Sequence, residues 1–269
     1  MSDSQLKRVF KRCRDEGRAA LVGYLTAGDP DLTSSRELLS TLANHVDILE
    51  VGMPFSDPMA DGPVIQAASE RALEAGAKIA DVFAITAELR ASHPELGIVL
   101  MGYANIAYAM GFETFAKKAK AAGADGILLV DIPPEEGGIC DEIFAQHGLD
   151  RILLLSPTST DHRIRLASEK GSGFIYYVSL TGITGAEMGA MADIQAKTEH
   201  IQSMTELPVC VGFGVKTPQQ VAEVGGFADG VVVGSHFVSQ ITSHRDHDAR
   251  IKALDDSALA MQQAIAHRG

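Results

Sequence analysis

Residues 208–241, PVCVGFGVKTPQQVAEVGGFADGVVVGSHFVSQI, place a short apolar run, a helical pattern and a second short apolar run in series. An apolar run without alternation reads as a strand buried on both faces of a parallel sheet. Both runs end on glycine, VGFG at Gly214 and VVVG at Gly234, and SHFVSQI behind the second predicts a short extra helix. The same unit recurs towards the N-terminus. ALVGYLT from Ala20, VDILEVG from Val46, GIVLMGY from Gly97 and GILLVDI from Gly126 read as strands, as do RILLLSP from Arg151 and GFIYYVS from Gly173. LTSSRELLSTLANH, VIQAASERALEAG, VFAITAELRAS, FETFAKKAKAAG and ARIKALDDSALAMQQAIAH carry helical patterns between or after them. Gly76, Gly123, Gly148 and Gly171 stand where helices are expected to stop. Eight strands alternating with helices over about 250 residues predict an α/β chain folded as a (β/α)8 TIM barrel. One domain is expected over 1–269, with an extra N-terminal helix at Ser4–Glu16 and the short helix after strand eight. A doubly wound sheet would carry G-x-G-x-x-G after its first strand. None follows Thr26.

The composition fits a globular chain. Of 269 residues, 46% are hydrophobic and 22% charged, close to the soluble average and too apolar for disorder. A balance of 23 basic to 35 acidic side chains, net −12, argues against a nucleic-acid binder, which needs a basic face. No run approaches the roughly 18 apolar residues of a membrane span. MSDSQLKRVFKRCRDEG lacks the apolar core of a secretory signal, so a cytoplasmic protein is expected. Cys13, Cys140 and Cys210 are odd in number and scattered, and the nine histidines form no H-x-x-x-H pair, so no disulfide framework and no metal site are assigned.

Barrel enzymes keep their chemistry at the C-terminal ends of the strands. In VDILEVG, the two-residue period puts Glu50 on one face with Val46 and Ile48, so if those point into the barrel Glu50 points in too. A carboxyl among such neighbours becomes a weak acid through desolvation, the property of a proton donor. The alternative is a structural glutamate bonded to a neighbouring strand. The following loop, PFSDPMADGP, is stiffened by three prolines and holds Asp57 and Asp61. Asp61, just before Gly62-Pro63, reads equally as a functional carboxylate or as the N-cap of the next helix. Glycines at the ends of strands seven and eight, with Ser235 opening a helix, read as a phosphate site of bare amides, the alternative being glycines that serve only tight turns. Thr181–Asp193 is long for a βα connection and rich in glycine, so it is expected to be a mobile lid.

LEVGMPFSDPMADGPVIQ, then LMGYAN, VDIPPEE, VSLTGITGAE, VGFGV and VVGS in that order resemble the tryptophan synthase alpha-chain family. The likeness runs from about Thr26 to Ser235. It implies cleavage of indole-3-glycerol phosphate to indole and glyceraldehyde 3-phosphate, a retro-aldol reaction without metal or organic cofactor. Carried over by position, Glu50 matches the catalytic acid and Asp61 the aspartate that accepts the indole N–H. Tyr24, Tyr103, Leu128 and Tyr176 fall where the indole pocket is expected. Gly185, Gly214, Gly234 and Ser235, with Phe213 beside them, fall at the phosphate site, and Thr184 matches the lid threonine. Leu180 departs from members that carry arginine there. The resemblance also implies a beta-chain partner in an α2β2 heterotetramer. That partner holds the pyridoxal phosphate, receives the indole, and docks on Pro54, Asp57, Pro58, Asn105 and Pro133. A stand-alone indole-releasing lyase, a phosphoribosyl isomerase and an inactive barrel that activates a partner enzyme are the competing readings.

Overall fold

In the computed structural model, which describes residues 4–178, 187–212 and 214–265, the apolar runs pair side by side as parallel strands. They are β1 (Ala20–Thr26), β2 (Ile48–Gly52), β3 (Gly97–Gly102), β4 (Gly126–Leu129), β5 (Asp150–Arg151), β6 (Leu153–Leu155), β7 (Ile175–Val178), β8 (Val209–Gly212) and β9 (Gly230–Val233). Their order in the sheet is β5-β4-β3-β2-β1-β9-β8-β7-β6. The two ends of that order are halves of one stretch, RILLL, interrupted at Ile152. Nine strand segments therefore trace eight staves, and the sheet closes on itself as the predicted barrel.

The two-residue period sorts the side chains. Ala20, Val22, Ile48, Val99, Leu128, Ile152, Cys210 and Val232 form the inner core. Leu21, Leu49, Val51, Ile98, Leu100, Ile127, Val211 and Val231 pack outwards against the helices. Val46 joins the outer cluster: β2 begins only at Ile48, so the alternation does not reach back to it. Helix α1 (Gln5–Asp15) is capped by Ser4 and ends at Glu16, as predicted. It lays Leu6, Val9, Phe10 and Cys13 across the N-terminal end of the barrel as part of the inner core. Gly97, Gly126 and Gly173 make room for it, since a Cβ on any of them would come within 3.1 Å of Leu6.

The outer ring comprises α2 (Leu32–Ala43), α3 (Pro63–Glu74), α4 (Ile79–Ser92), α5 (Ala104–Met110), α6 (Phe112–Ala121), α7 (Gly138–Gln146), α8 (Asp161–Lys170), α9 (Glu187–Gln202), α10 (Pro218–Gly225), α11 (Ser235–Ser243) and α12 (His247–Ala264). Gly76, Gly123 and Gly148 adopt the positive φ of helix stops. Gly171 does not; there a Cβ would meet the Ala167 carbonyl oxygen at 2.6 Å. The expected lid needs correction. Its second half, from Glu187 to Asp193, is the start of α9, and Met191 is buried in the core. Residues 181–186 lie outside the described residues. Among the described residues, no helix is long and apolar enough to cross a membrane, and no cluster of metal-ligating side chains occurs.

Candidate active site

A cleft of roughly 800 Å3 opens at the C-terminal ends of the strands. Met101, Val130, Leu154, Tyr176 and Val232 supply an apolar wall. Each stands two residues beyond an inward position in the same apolar run (Val99, Leu128, Ile152, Phe174 and Gly230), so the same period carries the barrel interior up into the site. Sequence reasoning named Tyr176 of this set and missed the other four. Counting by two from the buried positions would have found them.

Glu50 projects from β2 into the barrel and is fully buried. Among the described residues, neither of its carboxyl oxygens has a hydrogen-bond partner. Burial alone pushes its pKa up from 4.5 to about 8, so the carboxyl is protonated at neutral pH. The strand-bonded structural reading does not hold: the ladder neighbours are Tyr24 on β1 and Val99 on β3, and neither bonds the carboxyl. Glu50 does not itself open on the cleft. Tyr176, which lines the cleft, has its hydroxyl pushed up by burial and by the Glu50 charge.

Asp61 is half-buried and caps nothing. The N-cap of α3 is Gly62, without a side-chain bond, and Pro63 opens the helix. The Asp61 carboxylate instead accepts a hydrogen bond of 2.9 Å from the Tyr103 hydroxyl, which in turn accepts from the Ala60 N–H at 3.0 Å. Phe55 stacks on the Tyr103 ring, centroids 5.0 Å apart. From the outer side, the Gln66 amide donates to the carbonyls of Asp61 (2.8 Å) and Pro58 (3.3 Å). The loop is thus gripped on both sides in the free chain. Burial raises the Asp61 pKa, against the lowering pull of Tyr103.

At the opposite end of the cleft, Gly214, Gly234 and Ser235 line the wall together. Gly214 has φ +81°, open to glycine and costly for other residues. Gly234 is the N-cap of α11 and offers no side-chain cap, so the first amides of the helix point outwards. His236 bonds Ser257 at 2.8 Å, and burial and then Lys216 lower its pKa. Tyr24 is buried beside Gly234 and reaches over Gly52. Leu128 is fully buried in the inner core, one layer below Val130. Phe213, Thr184, Gly185 and Leu180 lie outside the described residues. Around the mouth, Asp57 and Asn105 are exposed, and Pro54, Pro58 and Pro133 half-buried.

The tryptophan synthase alpha-chain family model matches residues 10–266. The chain belongs to that family. An alpha chain from Marinobacter nauticus is 46% identical over 264 residues, covering 97% of this chain and 98% of its own length. One from Zymomonas mobilis is 46% identical over 268 residues, covering 98% and 97%. The crystal structure of tryptophan synthase subunit alpha from Legionella pneumophila superposes with a TM-score of 0.90 at 36% identity, covering 97% of this chain and 98% of that one. A tryptophan synthase structure from Mycobacterium tuberculosis gives 0.88 at 32%, covering 97% and 98%. As a tryptophan synthase alpha chain, the protein is a carbon–carbon lyase acting on indole-3-glycerol phosphate in tryptophan synthesis.

Proposed function

We propose that Glu50 and Asp61 divide the chemistry of this lyase between them, within one barrel domain spanning 1–269. The observation that carries the reading is that neither carboxyl does the structural work its position suggests: among the described residues no group bonds Glu50, and Asp61 caps no helix. Breaking the glycerol C–C bond requires the indole ring to accept an electron pair. A neutral carboxyl at Glu50, turning from its buried seat beside Tyr176 onto the bound ring, protonates carbon C3 and makes the ring electron-poor. Asp61 accepts from the indole N–H and stabilises the positive charge that develops there. The ionised Glu50 then takes the glycerol hydroxyl proton as the C–C bond breaks. Indole and glyceraldehyde 3-phosphate leave, and the acid has its proton back.

The apolar wall of Met101, Val130, Leu154, Tyr176 and Val232 suits the indole ring, with Tyr24, Tyr103 and Leu128 packed around it. The amides of Gly214, Gly234 and Ser235, with Gly185 and Phe213, suit the phosphate. Binding energy gathered there positions the reacting end. Thr184 serves closure of the site. In this reading no metal or organic cofactor is used by the chain. The partner is a beta chain that carries pyridoxal phosphate, forms an α2β2 heterotetramer, and receives indole across Pro54, Asp57, Pro58, Asn105 and Pro133. The grip on Asp61 from Tyr103 and Gln66 favours a partner that meets a loop already formed over one that must order it.

Glu50→Gln tests the assignment. The amide keeps the shape and loses the proton, so kcat should fall at least a hundredfold with substrate binding retained. A loss below about tenfold, roughly 1.4 kcal/mol of barrier, removes Glu50 from the acid role.

A further inference from the structure

Tyr24 and Glu50 are ladder neighbours, β1 to β2, on the inner face of the barrel. A phenol beside a buried carboxyl is an obvious donor to it, yet Glu50 has no donor. The Tyr24 hydroxyl instead shares a hydrogen bond of 3.0 Å with Thr26 Oγ1. Thr26 is 2% exposed and lies on the same face of β1, two residues on. The seat is cut for that arrangement. A Cβ on Gly52 would lie 2.3 Å from the Tyr24 hydroxyl and 2.7 Å from the ring carbon bearing it, so any larger residue there drives the phenol out.

We propose that Thr26 and Gly52 hold the Tyr24 hydroxyl away from Glu50, making Thr26 a positioning residue that keeps the acid free of donors. A hydroxyl donating to a carboxyl stabilises the ionised form. An acid so served would give up its proton too early to protonate a ring carbon. Desolvation then acts on Glu50 unopposed. The titratable groups whose charges reach it among the described residues are the phenols of Tyr24 on β1 and Tyr176 on β7 and the thiol of Cys210 on β8. All three are pushed up by burial and stay neutral through the working range. Asp61 acts on both phenols across the mouth. Val99 on β3 completes the surround with an apolar side chain. The inference rests on the reading of Glu50 as the acid.

The test reads the carboxyl directly. The whole chain is labelled with 13C-glutamate, the Glu50 signal is assigned by its loss in Glu50→Gln, and its shift is followed from pH 5 to 10. Thr26→Val, isosteric but without the hydroxyl partner, should free the phenol to turn onto Glu50 and lower the midpoint by about one unit. Adding Tyr24→Phe to Thr26→Val should return the midpoint to the wild-type position, which a packing role for Thr26 would not do. Gly52→Ala reaches the same displacement by another route and should also lower it. Tyr24→Phe alone should leave it in place, because the hydroxyl is held at Thr26 and away from the carboxyl. A midpoint unmoved by Thr26→Val and Gly52→Ala, or one that Tyr24→Phe fails to restore or raises by itself, overturns the inference. A Glu50→Gln chain that still cleaves substrate overturns the acid assignment instead and leaves the titration result standing.

Discussion

Replacing Glu50 by Gln should stabilise the protein progressively, relative to the natural chain, as pH rises. Burial raises the Glu50 pKa from 4.5 to about 8. Between those values the folded chain keeps a proton that the unfolded chain has lost. Stability therefore falls as pH rises through that window, by up to about 1.4 kcal/mol per pH unit. At pH 5 the cost is under about 1 kcal/mol, at pH 7 about 3 kcal/mol, and above pH 8 it levels off. The Gln variant has no proton to lose. Its stability relative to the natural chain should grow by about 2 to 3 kcal/mol from pH 5 to pH 7, or roughly 5–10 °C in Tm for a chain of this size. The buried amide adds an offset of its own, but one that does not vary with pH, and every other titrating group is common to both chains. Urea unfolding of the two proteins at pH 5, 6, 7 and 8 measures the difference. Parallel stability curves would mean that Glu50 is ionised in the fold through a partner or water, and the acid mechanism would lose its physical basis.

Asp61→Asn keeps its bond to Tyr103 but forfeits the negative charge, so kcat for indole-3-glycerol phosphate cleavage should drop at least a hundredfold with KM nearly unchanged. A KM effect alone would make Asp61 a binding residue. Gly234→Ala is a clean probe of the phosphate end, because its Cβ would find no protein atom closer than 3.5 Å. Its melting curve should match the natural chain while phosphorylated ligands weaken at least tenfold and free indole does not. Gly214→Ala should weaken the same ligands with an added stability cost of about 1 kcal/mol from its positive φ. Equal weakening of indole and phosphorylated ligand in either variant refutes the assignment. Titrating in a cognate beta chain should stimulate cleavage, and Pro58→Gly or Asn105→Asp should reduce the stimulation while sparing the basal rate. Two chains that neither associate nor alter each other's rates would leave a stand-alone lyase.

The strands were legible because parallel strands buried on both faces leave unmistakable apolar runs. ALVGYLT coincides with β1 from end to end. The break at Ile152 was not legible: RILLL is uniformly apolar, and the interruption appears only where the closing strands meet. Helices α5, α7, α8 and α9 were not legible either: α5 is only seven residues long, and α8 is strongly polar. At the site, the position of Glu50 followed from its strand and the glycine ends from their spacing. The contacts that decide the chemistry did not, because they join residues distant in sequence. Tyr103 meets Asp61 across 42 positions. An orphan carboxyl is a statement about every neighbour at once, and a local pattern cannot hold it.

Helix α1 stoppers the far end of the barrel with Leu6, Val9, Phe10 and Cys13, all at most 4% exposed. Among the described residues, the base of the reaction vessel is therefore closed and the cleft at the rim is its opening. Substrate, both products and any water must share the passage at the rim, and nothing can drain through the base. Whatever caps that opening governs all traffic. An indole molecule released beneath such a cap travels into the cap's own bore or stays where it was made, and retention of a small, membrane-permeant intermediate becomes a matter of plumbing.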